Sequence, residues 1–233
     1  MSRIHFIGGE KGGVGKSVLA RLLAQYHIDN ALPFTAFDTD RSHGALLRFY
    51  ADFSRPILLD DIESTDQVIE SALETEQSIL VDLAAQTSSL LHRWIEQADL
   101  LTFASEAQIQ IVFWHVIDDG ADGIALLDAL LERYGSAASY VIVRNYGRGK
   151  DFSAFAASAA QAKAAELGVH VIDLPELHAG SMRKIDHGNA SLWAAAHNKD
   201  AGLGLMDRQR VKVWINRAYQ QFARVQSLIE AKS

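Results

Sequence analysis

The chain has no cysteine, only 3 prolines in 233 residues, and no apolar run long enough to cross a bilayer. Without thiols it can build no disulfide framework, no thiolate-held iron–sulfur cluster and no cysteine zinc site. The missing apolar run excludes a membrane-spanning helix, and no charged-then-apolar leader precedes the first hydrophobic segment, so a cytoplasmic protein is expected. Positive charge is also scarce: 22 Lys and Arg stand against 29 Asp and Glu, a net charge of −7. Nonspecific DNA affinity rests on neutralising phosphates, so any DNA contact has to come from a local basic patch.

What the chain does have is apolar bulk, 48% of its residues, enough for one large core over 1–233 and no evident domain boundary. Apolar runs alternate with helical patterns, the mark of an α/β fold with a mostly parallel sheet and helices on both faces. The strands expected are Arg3–Gly8, Phe34–Asp38, Ser78–Asp82, Leu100–Ala104, Tyr140–Asn145 and Val169–Leu174. Helices are expected at Lys16–Asp29, Gly44–Asp52, Asp66–Glu74, Ser88–Gln97, Phe152–Leu167 and Ile109–Tyr134, the last broken near Gly120 or Gly123. A basic C-terminal helix over about 207–231 carries Arg208, Arg210, Lys212, Arg217 and Arg224, with Lys232 just beyond. Its apolar residues Val211, Trp214, Ile215, Ala218, Phe222, Val225 and Ile229 recur at three- and four-residue spacing, a stripe that docks on a core and leaves the basic face to solvent or DNA.

The densest chemistry is Lys11-Gly12-Gly13-Val14-Gly15-Lys16-Ser17-Val18, set between an apolar strand and a leucine-rich helix. Strand, glycine loop and helix start, in that order, put backbone N–H groups and a positive dipole end around a phosphate, and the glycines let the backbone come close. Lys16 supplies charge for the β/γ-phosphates and the Ser17 hydroxyl a ligand for Mg²⁺. Glu10 occupies the position where the strict P-loop pattern has its first glycine. Two further acids end buried strands: Asp38, followed by Asp40, and Asp82, placed as a Walker B acid that holds Mg²⁺. Asp40 also fits a plain helix-start turn.

Lys11-Gly-Gly-x-Gly-Lys-Ser resembles the deviant Walker A motif of the ParA/MinD family of P-loop ATPases. The resemblance implies ATP and Mg²⁺ as ligands, weak ATP hydrolysis, and a homodimer that sandwiches ATP with Lys11 reaching the partner's nucleotide. It implies that Asp40 orients or deprotonates the attacking water, that Asp38 supports the lysine and metal, and that Asn145 and the segment around Pro175 contact adenine. Gln86 or Thr87 would sense the γ-phosphate. The chain departs from the family where Arg41-Ser42-His43-Gly44 follows Asp40 and Leu83-Ala84-Ala85-Gln86-Thr87 follows Asp82. Lacking cysteine, it is unlike the iron–sulfur and arsenite-pump relatives.

The opening Ile4-His5 and the closing Arg208-Gln209-Arg210-Val211-Lys212 look similar to conjugal-transfer ATPases of the TraL type. That resemblance implies a nucleotide-dependent switch in DNA partition or conjugal transfer, with a partner protein that stimulates hydrolysis. A MinD- or MipZ-like switch on a protein or membrane partner is the alternative, and a dethiobiotin-synthetase-like ligase a third. The histidines form no ligand cluster, so no zinc is expected, and His5 and His170 read as packed residues. Trp94, Trp114, Trp193 and Trp214 fall in helical patterns as core or interface anchors, and Arg183 and Lys184 could extend the basic surface.

Overall fold

A computed structural model describes residues 1–9, 11–40 and 44–230. Glu10, the Arg41-Ser42-His43 continuation and the final 231–233, Lys232 among them, lie outside the described residues.

Strand β1 (Arg3–Gly8) runs through the P-loop into helix α1 (Lys16–Asp29), then β2 (Phe34–Asp38), a short α2 (Ala45–Phe49) and a three-residue β3 (Ser54–Pro56). Next come α3 (Ile62–Glu74), β4 (Ser78–Asp82), α4 (Ser88–Gln97), α5 (Leu100–Glu106), β5 (Gln110–Ile117), α6 (Ala121–Tyr134) and β6 (Ser139–Asn145). After α7 (Ser153–Ala156), α8 (Ala159–Glu166) and β7 (His170–Leu174), the chain closes with α9 (Ala179–His187), α10 (Leu192–His197), α11 (Leu205–Ala223) and α12 (Gln226–Ile229).

The strands form one sheet in the order β3-β2-β4-β1-β5-β6-β7, and every pairing is parallel. Successive side chains leave a strand on opposite faces. Ile4 and Phe6 therefore join a core under α3 to α8, while Ile7 joins the core under α1, α2 and α9 to α12. Both faces are covered, which is why the central strands read as unbroken apolar runs. The chain leaves β1 toward β2 on one side and later returns to its other side with β5. The crevice at the carboxyl ends beside β1 is thus the switch point where such sheets hold ligands.

Several expectations need correction. The helix expected from Ile109 is strand β5 up to Ile117, and only Ala121–Tyr134 is helical, starting at the Gly120 cap. β5 lies between β1 and β6, buried on both faces, so its side chains show no alternation of polarity; Trp114 belongs to this strand. Conversely Leu100–Ala104 is helical: Leu100 and Ala104, four apart, face the core while Phe103 is exposed. The expected helix at Gly44–Asp52 is only Ala45–Phe49 followed by a 3₁₀ turn, and Phe152–Leu167 divides at Ser158, whose hydroxyl accepts from Gln161 N at 3.1 Å and caps α8. The C-terminal helix stops at Ala223 and resumes as α12, with its whole expected apolar stripe buried. Trp94, Trp114 and Trp214 are buried and Trp193 is exposed; His5 accepts from Trp114 Nε1 at 3.0 Å, whereas His170 is exposed at the start of β7.

Candidate functional site

β1 delivers the glycine loop to the crevice, and Gly15 caps α1 in a left-handed conformation, φ 105°. A Cβ there would stand 2.2 Å from Asn145 Nδ2, so only glycine lets the loop fold against β6. Asn145 is braced on that loop: its Nδ2 donates to Val14 O at 2.7 Å and its Oδ1 accepts from Gly147 N at 2.9 Å. Gly12 and Gly13 follow Lys11 in the turn that leads to Val14, which is buried. Lys16 is buried and curls back over the loop, Nζ to Lys11 O at 3.0 Å, across the space the loop encloses.

Opposite Lys16 stand the acids. Asp38 and Asp82 lie level with each other on paired strands, with Ile7 beside Asp82. The Ser17 hydroxyl favours the ionised form of the Asp82 carboxyl, yet Asp82 Oδ1 is buried with no hydrogen-bond partner. Burial pushes the Asp82 carboxyl up to about 8, helped by the charges of Asp38 and Asp40 and opposed by Ser17 and Lys16. An unsatisfied, dehydrated carboxylate beside a hydroxyl is a hard-oxygen donor set suited to Mg²⁺, so the residues present fit that ion.

Asp38 is engaged differently. Its carboxylate accepts backbone N–H groups of Asp40 at 3.0 Å and Leu46 at 2.9 Å, so it ties the loop after β2 to the start of α2. Burial raises its carboxyl above the ordinary range, while the amides of Asp40, Leu47 and Leu46 hold it down. Gly44 makes the tie possible, because a Cβ there would stand 2.8 Å from Asp38 Oδ2. Thr39, between the two acids, accepts from Ala84 N at 2.7 Å and donates to Asp82 O at 3.1 Å. The loops that follow β2 and β4 are thereby stapled together. Gln86 is exposed with φ 64°, and Thr87 donates to Ala84 O at 2.8 Å.

Lys11 turns away from this cluster and donates to Asp118 at the end of β5, Nζ to Oδ2 2.8 Å. That hydrogen bond raises the Lys11 ammonium above its ordinary range. Burial opposes the ionised form of Asp118, but bonds from Lys11 and Gly120 N bring its carboxyl below the usual value. On the far side of α1, Asn145 and Pro175 line a cavity of about 280 Å³ with Val18, Leu174, Met182 and Asp186. Trp214 Nε1 donates to Pro175 O at 2.7 Å and fixes its wall.

The structure therefore gathers Lys16, Ser17, Asp38, Asp40 and Asp82 at one end of α1 and Val18, Asn145 and Pro175 at its flank. It leaves Lys11 on its own chain's Asp118. Sequence reasoning passed over Thr39 and Asp118; the Asp118-Asp119-Gly120 turn directly after an apolar run was the available signal for the latter.

The architecture is similar to the MinD cell division protein of Aquifex aeolicus, alone and in its MinC:MinD complex. The TM-score is 0.55 in both cases at 13% identity, over 94% of this chain and 97% and 96% of those chains. Fold and glycine loop together define an α/β P-loop NTPase fold. In sequence, the chain is similar to protein TraL of Escherichia coli, 26% identical over 235 residues, 91% of this chain and 94% of TraL. It is also similar to protein MobD of Acidithiobacillus ferrooxidans, 25% identical over 179 residues, 75% of this chain and 78% of MobD. No family model matches the chain.

Proposed function

We propose that the chain is an ATP-dependent switch that dimerises around nucleotide, hydrolyses it slowly, and acts in the transfer or partition of a mobile DNA element. The observation that carries the reading is the orphaned, buried Asp82 oxygen beside Ser17, facing a glycine cradle closed by Lys16. Such a site is incomplete until a phosphate and a cation enter it.

In this reading the loop amides from Gly12 to Val18 and the Lys16 ammonium hold the β- and γ-phosphates, with the N-terminus of α1 adding its dipole. Ser17 and Asp82 would hold Mg²⁺, with Asp38 behind them, and the ion supplies charge neutralisation on the phosphates. Asp40 orients the attacking water. Asn145 sets the loop's shape, and the cavity beside Pro175 receives the base. Lys11 leaves Asp118 and reaches the nucleotide of a second copy. A switch works because the two nucleotide states differ in affinity for the partner, and the Thr39 staple couples the two loops that flank the γ-phosphate position.

The DNA contact is assigned to the solvent face of α11. Arg210 and Arg217 stand there seven residues apart and Arg224, at the C-cap of the helix, a further seven on, about 10 Å apart along the axis. A row of guanidiniums repels its own copy and attracts phosphate, which favours DNA over self-association at this face. Similarity to TraL and MobD supports a role in conjugal transfer or mobilisation; a stimulating partner protein belongs to the same reading. The test is binding to a nonspecific duplex with ATP, ADP or no nucleotide at two salt concentrations. ATP-dependent, salt-sensitive binding is expected. ATP-bound protein that ignores DNA and pellets with anionic vesicles would overturn the DNA reading in favour of a membrane-acting switch.

A further inference from the structure

The side of the molecule formed by α1, the turn after α2 and α10 carries an open groove of about 510 Å³ that no part of the nucleotide site uses. Its walls are Phe49, Tyr50 and two aromatic rings in solvent: Trp193, 53% exposed, and Phe53, 42% exposed. Its charged lining residues are Asp29 and Asp52, and no cation lines it among the described residues.

These rings are held in place. Buried Gln25 accepts from Trp193 N at 2.9 Å and from Tyr50 OH at 3.1 Å, and Tyr50 OH in turn accepts from Leu192 N at 3.1 Å. Trp193 stacks on His197 with ring centroids 5.2 Å apart, and Phe53 on Phe34 at the same separation. The guanidiniums nearest the groove, Arg21 and Arg48, lie against the Phe49 ring and are engaged by Asp186 and Asn189. A rigid, exposed tryptophan costs little entropy to engage, which is the character of an interface anchor.

We infer that this groove docks a cationic segment of another protein, an Arg or Lys side chain flanked by apolar residues, with the cation over Trp193 and beside Asp52. Aromatic faces attract cations and carboxylates pair with them. The same carboxylates repel the phosphates of nucleic acid and of anionic membranes, so the groove and the arginine row of α11 select partners of opposite charge.

The test is an array of defined twelve-residue peptides in which basic and aromatic content vary independently, probed with the full chain. The best binder is then titrated by isothermal calorimetry, a readout that does not depend on Trp193 itself. Binding is expected to require at least one Arg or Lys, to weaken as salt rises, and to fall at least tenfold in Trp193→Ala and in Asp52→Lys. Asp52 is exposed, so its variant separates loss of binding from loss of folding. Nucleotide affinity measured on the same variants is expected to stay unchanged, which keeps this result independent of the switch. No preference for basic peptides, or binding that survives both substitutions, overturns the proposal; association of the chain with itself through Trp193 in place of peptide would overturn it as well.

Discussion

Lys11 Nζ lies 2.8 Å from Asp118 Oδ2 in its own chain, joining the P-loop to the end of β5. The pair is partly open to solvent, 37% and 15% exposed, so it adds little to stability. If Lys11 reaches the nucleotide of a second copy, as proposed, this pair holds it back until a competing anion is offered. Asp118→Asn should lower the ATP concentration at which the chain dimerises and leave the melting temperature within scatter. An unchanged or raised ATP requirement, measured by light scattering, would separate Asp118 from the switch.

Asp82→Asn replaces a dehydrated carboxylate with a neutral amide. Since burial of that acid is costly without a cation, the metal-free protein should be as stable as the native chain or more so. Its nucleotide affinity should no longer respond to Mg²⁺. Calorimetric titrations with and without Mg²⁺ read this directly, and a retained Mg²⁺ response would remove Asp82 from the metal site.

Gly15→Ala forces a side chain into a backbone at φ 105° and against Asn145. The strain should cost about 1–3 kcal/mol, and nucleotide binding should fall with it because the loop can no longer pack on β6. Asn145→Ala should act through the same contact, loosening the loop with less strain. Urea midpoints and nucleotide affinities on both variants check the pair; wild-type affinity in Asn145→Ala would show that its bond to Val14 O does not shape the loop.

Much of this site was legible in the sequence because glycine and strand-ending acids punctuate it. β1, α1, β2, β4 and α4 have the residue limits their patterns suggested. Where the sequence misled, physical context decided. β5 lost the polar alternation of a half-exposed strand because helices cover both faces, and its aromatic and β-branched content, Phe113, Trp114, Val116 and Ile117, was the remaining sign. β3 is an edge strand of 3 residues, too short to carry a period. The Lys11–Asp118 pair spans 107 positions and depends on the β1–β5 pairing, so it could not be seen until β5 was a strand.

Acid should weaken the fold beneath the sheet. His5 and His27 are buried with their Nε2 atoms unpartnered; burial lowers His5 well below its ordinary value and brings His27 from 6.5 to about 4. Between those values the unfolded chain binds more protons than the folded one, so stability rises with pH over that window and is lost as pH falls from 6.5 toward 4. The expected slope is about 1.4 kcal/mol per pH unit per imidazole. His27→Leu should flatten the dependence of the urea midpoint on pH, and an undiminished slope would acquit His27.

If α11 meets phosphate, Arg210→Ala, Arg217→Ala and Arg224→Ala combined should reduce the salt slope of DNA binding by about 3. Hydrolysis without DNA should be unaffected. An unaltered slope would move the DNA contact off this helix.

The central claim is that nucleotide, not concentration alone, sets the number of chains in the particle. Sedimentation of the 25.6 kDa chain with Mg²⁺ and either ATP or ADP tests it, with Lys11→Ala and Lys16→Ala as companions. The account predicts a dimer with ATP alone, single chains with ADP, and single chains for both variants, Lys16→Ala because it binds no nucleotide and Lys11→Ala although it does. Single chains in every condition despite measured ATP binding, or a dimer indifferent to nucleotide, would contradict it.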